Sequence, residues 1–114
     1  LTLQGYVQAG LDYDTTLGYA EAPGFRCGTC FDYPAFDPVK GEPLALRIRP
    51  LIAMEASVIS PLYLGLGTGE EAFACFSRLK ARCRTMGGTF TLLWHNSELT
   101  TSAQRELYER VLAD

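Results

Sequence analysis

Two short apolar runs flank one amphipathic segment, and that arrangement leaves few folds open. The first run is Pro50-Leu51-Ile52-Ala53-Met54-Glu55, and the second is Thr89-Phe90-Thr91-Leu92-Leu93-Trp94-His95. Each is nearly continuous in apolar residues, as expected of a strand buried in an α/β sheet. Between them Ala72, Phe73, Phe76, Leu79, Cys83 and Met86 recur at helical spacing, and Gly87-Gly88 closes the pattern. Thr68 and Glu71 have the spacing of a capping box at its start. Strand, helix and strand in this order argue for parallel pairing.

The rest of the chain extends the same alternation. Leu3, Tyr6, Val7 and Ala9 read as the end of a helix stopped by Gly10. Residues 11–14 are a short strand or strand end, and residues 15–33, rich in Gly, Pro, Thr and Cys, are an ordered loop of a length usually tied to function. A turn signal at Pro38-Val39-Lys40-Gly41-Glu42, between Phe36 and Leu44/Leu46, predicts a small hairpin. Gly65-Leu66-Gly67-Thr68-Gly69 lacks the Lys-Ser/Thr ending of a phosphate loop and reads as a helix-entry turn. Thr101 and Gln104 can cap a last helix over residues 101–112, with Leu107, Tyr108, Val111 and Leu112 on its apolar face.

Active sites of such folds gather at the C-terminal ends of their strands. Asp12 and Asp14, Glu55, and His95 all fall at such ends. Imidazoles titrate near pH ~6.5 in model peptides, which suits proton transfer near neutrality. The bland alternatives are a strand-end His held by a hydrogen bond, an Asp14 that caps the Thr15-Thr16 turn, and a Glu55 paired with an Arg. Arg26 offers a planar fork for a carboxylate, or a salt bridge that pins the loop. Trp94 can offer a stacking face to a ligand or fill the core.

With 114 residues the chain makes one small domain. No apolar run approaches the ~20 residues of a membrane span, and residues 1–5 lack the basic and apolar regions of a signal peptide. The missing initiator Met suits a fragment or a processed chain. Arg78, Lys80, Arg82 and Arg84 cluster on one helix, but the net charge is −3, so they read as a solvated face rather than a nucleic-acid stripe. The four cysteines, in the absence of a secretory signal, are expected to be reduced in a cytoplasmic protein. Pro34 argues against a helix after Cys27-Gly28-Thr29-Cys30, which disfavours a thioredoxin-like site, and Cys75 and Cys83 have no zinc-knuckle spacing. Buried thiols or an incidental disulfide remain.

The stretch Asp12-Tyr13-Asp14-Thr15-Thr16-Leu17-Gly18-Tyr19, then Gly24-Phe25-Arg26-Cys27-Gly28-Thr29-Cys30, resembles a polysaccharide deacetylase subgroup, relatives of carbohydrate esterase family four. Arg49 to Glu55 and Gly88 to Ser97 continue the resemblance, which covers roughly residues 3–112. It implies an α/β fold, the C-terminal part of a distorted (β/α) barrel, with residues 1–114 as a single partial domain. It implies a hydrolase that removes N- or O-acetyl groups from sugars with a zinc-like divalent metal. Leu93-Trp94-His95 matches the motif whose His is the general acid, and Phe25-Arg26 the segment whose Arg orients the catalytic Asp. Asp12, Asp14, Glu55, Trp94 and Asn96 would then line the substrate. The family's Asp-His-His metal set cannot be assembled from a single His, so no cofactor is expected in this chain alone. The expected partners are a carbohydrate substrate and a missing N-terminal half, another chain or a second copy, with no nucleic acid and no membrane. The alternative is a non-catalytic carbohydrate-binding or assembly module.

Overall fold

The computed structural model describes residues 2–114. Helix α1 (Thr2–Gln8) is followed by strands β1 (Tyr13–Asp14), β2 (Tyr33–Asp37), β3 (Glu42–Ile48) and β4 (Ala53–Met54). Helices α2 (Glu55–Ile59) and α3 (Glu70–Met86), strand β5 (Leu92–Leu93), a 3-10 turn (Asn96–Leu99) and helix α4 (Ser102–Ala113) complete the chain.

The strands form two sheets. In the first, β3 lies between β1, parallel to it, and β2, antiparallel to it. In the second, β4 and β5 pair in parallel, with Ala53 opposite Leu92 and Met54 opposite Leu93. The two parallel pairs therefore belong to separate sheets, where the sequence pattern suggests a single array of three parallel strands. The molecule is elongated, 48 × 30 × 23 Å.

The apolar strand runs yield very short ladders, for a local reason. Pro50 has no N–H to donate, and Leu51 gives its N–H to the Leu17 carbonyl (3.1 Å). Ile52 and Ala53 both donate to the Thr91 carbonyl, at 3.1 and 3.2 Å. Regular pairing is left to two residues on each strand, and Glu55 opens a helix instead of ending a strand. That helix, α2, stops at Ser60, which is extended at φ −67, ψ 135 because Pro61 follows it.

Turn and cap chemistry fixes the other boundaries. Gly10 (φ 75) ends α1, its N–H reaching the Val7 carbonyl while Leu11 N–H reaches that of Tyr6, a Schellman closure. Asp37 closes the hairpin by accepting from the amides of Val39 (2.9 Å) and Lys40 (3.1 Å). Those amides, Lys40 foremost, hold its carboxyl below the ordinary range. Thr101 and Gln104 form the expected reciprocal box on α4. The box proposed for α3 does not form: Gly69 is its N-cap and no side chain caps it.

Three apolar clusters hold these elements. Leu46, Ile48 and Ala35 pack under α1 through Leu3, Tyr6 and Val7. Ala53, Val58, Phe76, Leu107 and Val111 join β4 to helices α2, α3 and α4. Between them, Cys30, Ile52 and Cys83 fasten the long loop to β4 and α3, and Leu79 and Phe90 pack against both of these last two clusters.

Gly88 sits where the chain leaves α3. Its N–H donates to the Cys83 carbonyl (2.9 Å), and the next amide, Thr89, donates to the Cys30 carbonyl (2.9 Å). A Cβ there would overlap the Cys30 sulfur and lie 2.9 Å from its carbonyl oxygen. Gly88→Ala is therefore expected to lower the unfolding free energy by about 1–3 kcal/mol. Gly5→Ala, inside α1 with open space around the position, should raise it by up to about 1 kcal/mol. Urea denaturation of the two variants checks both signs.

Candidate functional site

The parallel β4–β5 pair sets up one side-chain meeting that combines a buried charge with an exposed titratable ring. Because Met54 lies opposite Leu93, Glu55 and His95 emerge just beyond the C-terminal ends of adjacent strands. The Glu55 side chain is completely buried, and its Oε1 meets Nδ1 of His95. The imidazole side chain is 49% exposed, and Nε2 is the ring nitrogen not used by Glu55. The second carboxylate oxygen, Oε2, is buried with no hydrogen-bond partner.

Local structure holds His95 from behind. Its backbone is extended (φ −77, ψ 140), and its carbonyl accepts from Glu98 N–H (2.9 Å) to start the 3-10 turn. Trp94 points inward. Its ring lies 5.7 Å from Phe76 and 5.2 Å, edge-on, from Tyr108, and its Nε1–H donates to the Glu98 carbonyl (3.0 Å). Trp94 therefore packs, partly buried, against the core of the helical side. Asn96 is exposed beside His95 as the first residue of the turn.

Asp12, Asp14 and Arg26 make their hydrogen bonds elsewhere. Asp14 is buried at the end of β1, in the other sheet, and accepts from the Thr16 hydroxyl (2.8 Å) and amide (3.3 Å), the turn-capping role. Asp12 is exposed before β1 and uses its carbonyl to accept from Arg47 N–H. Arg26 donates to the Gly18 carbonyl (2.9 Å) and stands 5.7 Å over the Tyr19 ring. It thus pins the long loop through a carbonyl and a ring, and among the described residues it makes no ion pair with a carboxylate. The Arg–carboxylate contact belongs instead to Arg49, which spans both oxygens of Asp32 at 3.2–3.3 Å while lying 4.1 Å over Tyr13. Asp32 holds the Arg49 guanidinium above its ordinary range. Sequence reasoning missed this pair, whose one available sign was an Arg just before the first apolar run.

No family model, no curated protein and no solved structure matches the chain. Among the described residues no group of three or more His, Cys, Asp or Glu side chains is placed to hold a metal ion. Among the described residues no helix is long and apolar enough to cross a membrane.

What the arrangement can do follows from Glu55. A carboxylate out of water is costly unless paired, and a proton on Nδ1 is the partner available to it. That fixes the ring's orientation and favours the tautomer with the proton on Nδ1, leaving Nε2 to accept or donate a proton at the surface. His95→Ala would strand the carboxylate. It is expected to cost about 1–3 kcal/mol of stability, and the loss should shrink to within about 0.5 kcal/mol when Glu55 is already Leu. An equal cost in both backgrounds, measured by denaturant unfolding, would remove the coupling.

Proposed function

We propose that Glu55 and His95 form the acid–base part of a hydrolytic site of the polysaccharide deacetylase type, acting on acetylated carbohydrate. The observation that carries this reading is the pairing of a solvent-free carboxylate with a half-exposed imidazole at the ends of adjacent parallel strands. The resemblance of Leu93-Trp94-His95 to the family's general-acid motif supports the same role. In it, Glu55 orients the ring, and Nε2 of His95 gives its proton to the departing sugar nitrogen or oxygen. On this reading β4 and β5 correspond to the last strands of a (β/α) barrel. Asn96, exposed next to the imidazole, is placed to contact the substrate, whereas Trp94 supports His95 from the core. The family's metal would need ligands from outside these residues.

A non-catalytic assembly module is the second reading. It is favoured by an apolar surface after α2, where Leu62 is 86% exposed and Tyr63 and Leu64 are also exposed.

The two are separated by acetate release from an acetylated chitooligosaccharide, assayed on the complete natural reading frame. His95→Ala should lower kcat by about 10²–10⁴ with little change in KM, because a general acid acts in the transition state. Glu55→Gln should fall in the same direction by a smaller factor. No acetate release, or a kcat unchanged in His95→Ala, sinks the hydrolytic reading and leaves the assembly module.

A further inference from the structure

The cysteine motif pairs across the fold rather than within itself. Cys27 and Cys30 are neighbours in sequence, yet their thiols face different surroundings. The Cys27 sulfur lies 3.9 Å from the Leu17 carbonyl and beside the Tyr33 hydroxyl, which it helps push up to about 12. Cys30 points the other way, into the small cluster it shares with Ile52 and Cys83. Both Cys30 and Cys83 are buried, and both are free thiols.

Two backbone bonds hold these two residues side by side. Gly88 N–H is bound to the Cys83 carbonyl, and Thr89 N–H to the Cys30 carbonyl, so the same dipeptide ties down both. The absence of a side chain at Gly88 is what lets the Cys30 sulfur approach. Burial first, and then the neighbouring Cys30, push the Cys83 thiol up to about 11, as expected of a thiol whose nearest polar neighbour is another thiol. Cys30 contributes to the wall of an apolar groove of about 540 Å³ between the long loop and the end of α3, formed with Phe25, Thr29, Phe31, Arg82 and Met86.

We propose that Cys30 and Cys83 are a redox-modifiable pair that a small hydroperoxide, entering by this groove, converts to a disulfide. In the first step the Cys30 sulfur attacks the peroxide, the O–O bond breaks, and Cys30 becomes a sulfenic acid while the leaving oxygen departs as alcohol or water. In the second step the Cys83 sulfur, giving up its proton, attacks the Cys30 sulfur. The S–S bond forms, the S–O bond breaks, and the hydroxide released takes the proton as water. The sum is two thiols oxidised and one peroxide reduced. Cys30 is the residue first attacked because it is the one at the groove, and Cys83 resolves from behind it. The cross-link ties the long loop to α3 directly beneath Ile52.

The test is peptide mapping of the folded chain after hydrogen peroxide treatment, with free thiols then blocked and the protein digested without reductant. The expected product is a Cys30–Cys83 cross-linked peptide, a fall from four titratable thiols per chain to two, an unchanged far-ultraviolet circular dichroism spectrum, and full reversal by dithiothreitol. Cys27→Ser and Cys75→Ala should form the same cross-link, and Cys83→Ala should stop at a trappable Cys30 sulfenic acid. A Cys27–Cys30 cross-link, oxidation confined to Cys27, or a Cys30–Cys83 link seen only in urea would each overturn the proposal. Because wild-type protein supplies the primary result, a poorly folding variant does not blunt the test.

Discussion

A carboxylate deprived of water raises the free energy of the fold unless something with a proton stands against it, and Glu55 has its one observed partner in His95. Much of the local structure follows from that demand. The parallel register of β4 and β5 brings the two residues past adjacent strand ends. The start of α2 at Glu55 turns the chain inward at that point and buries the carboxylate, while Ser57 two residues on anchors the long loop by donating to the Ala20 carbonyl (2.7 Å). A residue that appears on paper to finish a strand thus sets both a helix start and the orientation of the His95 ring.

The molecule divides its packing between a hairpin lobe and a helical lobe, and the long loop is the stitching. On the hairpin side, Arg49 gathers β1, the loop and β3 through Tyr13 and Asp32. Toward the second sheet, Gly24 N–H reaches the Ile52 carbonyl (2.8 Å) and Leu51 N–H reaches Leu17. On the helical side, Arg110 pairs with Glu70 (2.7 Å) across the face of Phe73 (4.1 Å) and fixes α4 along α3. That exposed pair adds little by itself, but with the apolar contact beneath it sets the angle of the two helices. The loop has no regular structure because its backbone groups are spent on these cross-chain bonds, which is why eighteen or so residues without periodicity can still be ordered.

The parts of this structure legible in sequence were those decided within one turn or one strand pair. Gly10 and Gly87 stop their helices, Asp37 and Gly41 close the hairpin, and Thr101 with Gln104 caps α4, each by contacts a few residues long. The apolar runs announced β4 and β5 but not how little of each would pair, since that depended on Pro50 and on Leu17, far away in sequence. The stripe on α3 located Ala72, Phe76 and Cys83 correctly and Met86 wrongly, because Met86 lies in the last turn, where the neighbouring wall is an open groove. At the site, Glu55 and His95 were identifiable as strand-end polar residues. For Asp14 and Trp94 residue type left the turn-capping and core roles open as alternatives, and Arg26 pins the loop through a carbonyl and a ring rather than the salt bridge expected of it, because each is settled by a neighbour that residue type does not reveal. The partnership of Cys30 with Cys83 is the extreme case, a pairing made by the tertiary fold against the local C-x-x-C pattern.

An imidazole useful for proton transfer must be free on one side and immobile on the other, and the segment after β5 separates those two needs by alternating residues. Trp94 is clamped between Phe76 and Tyr108 and donates to Glu98, so the backbone just before His95 is fixed by the core of the helical lobe. The backbone just after it is fixed by α4. Gln104 donates to the Glu98 side chain (2.9 Å) while its carbonyl oxygen accepts from the amides of Thr100 and Thr101 (3.0 Å each). The capping box of α4 therefore does more than start a helix: the same glutamine holds the 3-10 turn that carries His95. With Glu55 against Nδ1, the half-exposed ring is constrained by its backbone on both flanks and by the carboxylate, and Nε2 is the nitrogen left unpaired by Glu55. Preorganisation of that kind is what a proton-transferring His requires, whereas Arg26 is engaged with the Gly18 carbonyl and the Tyr19 ring.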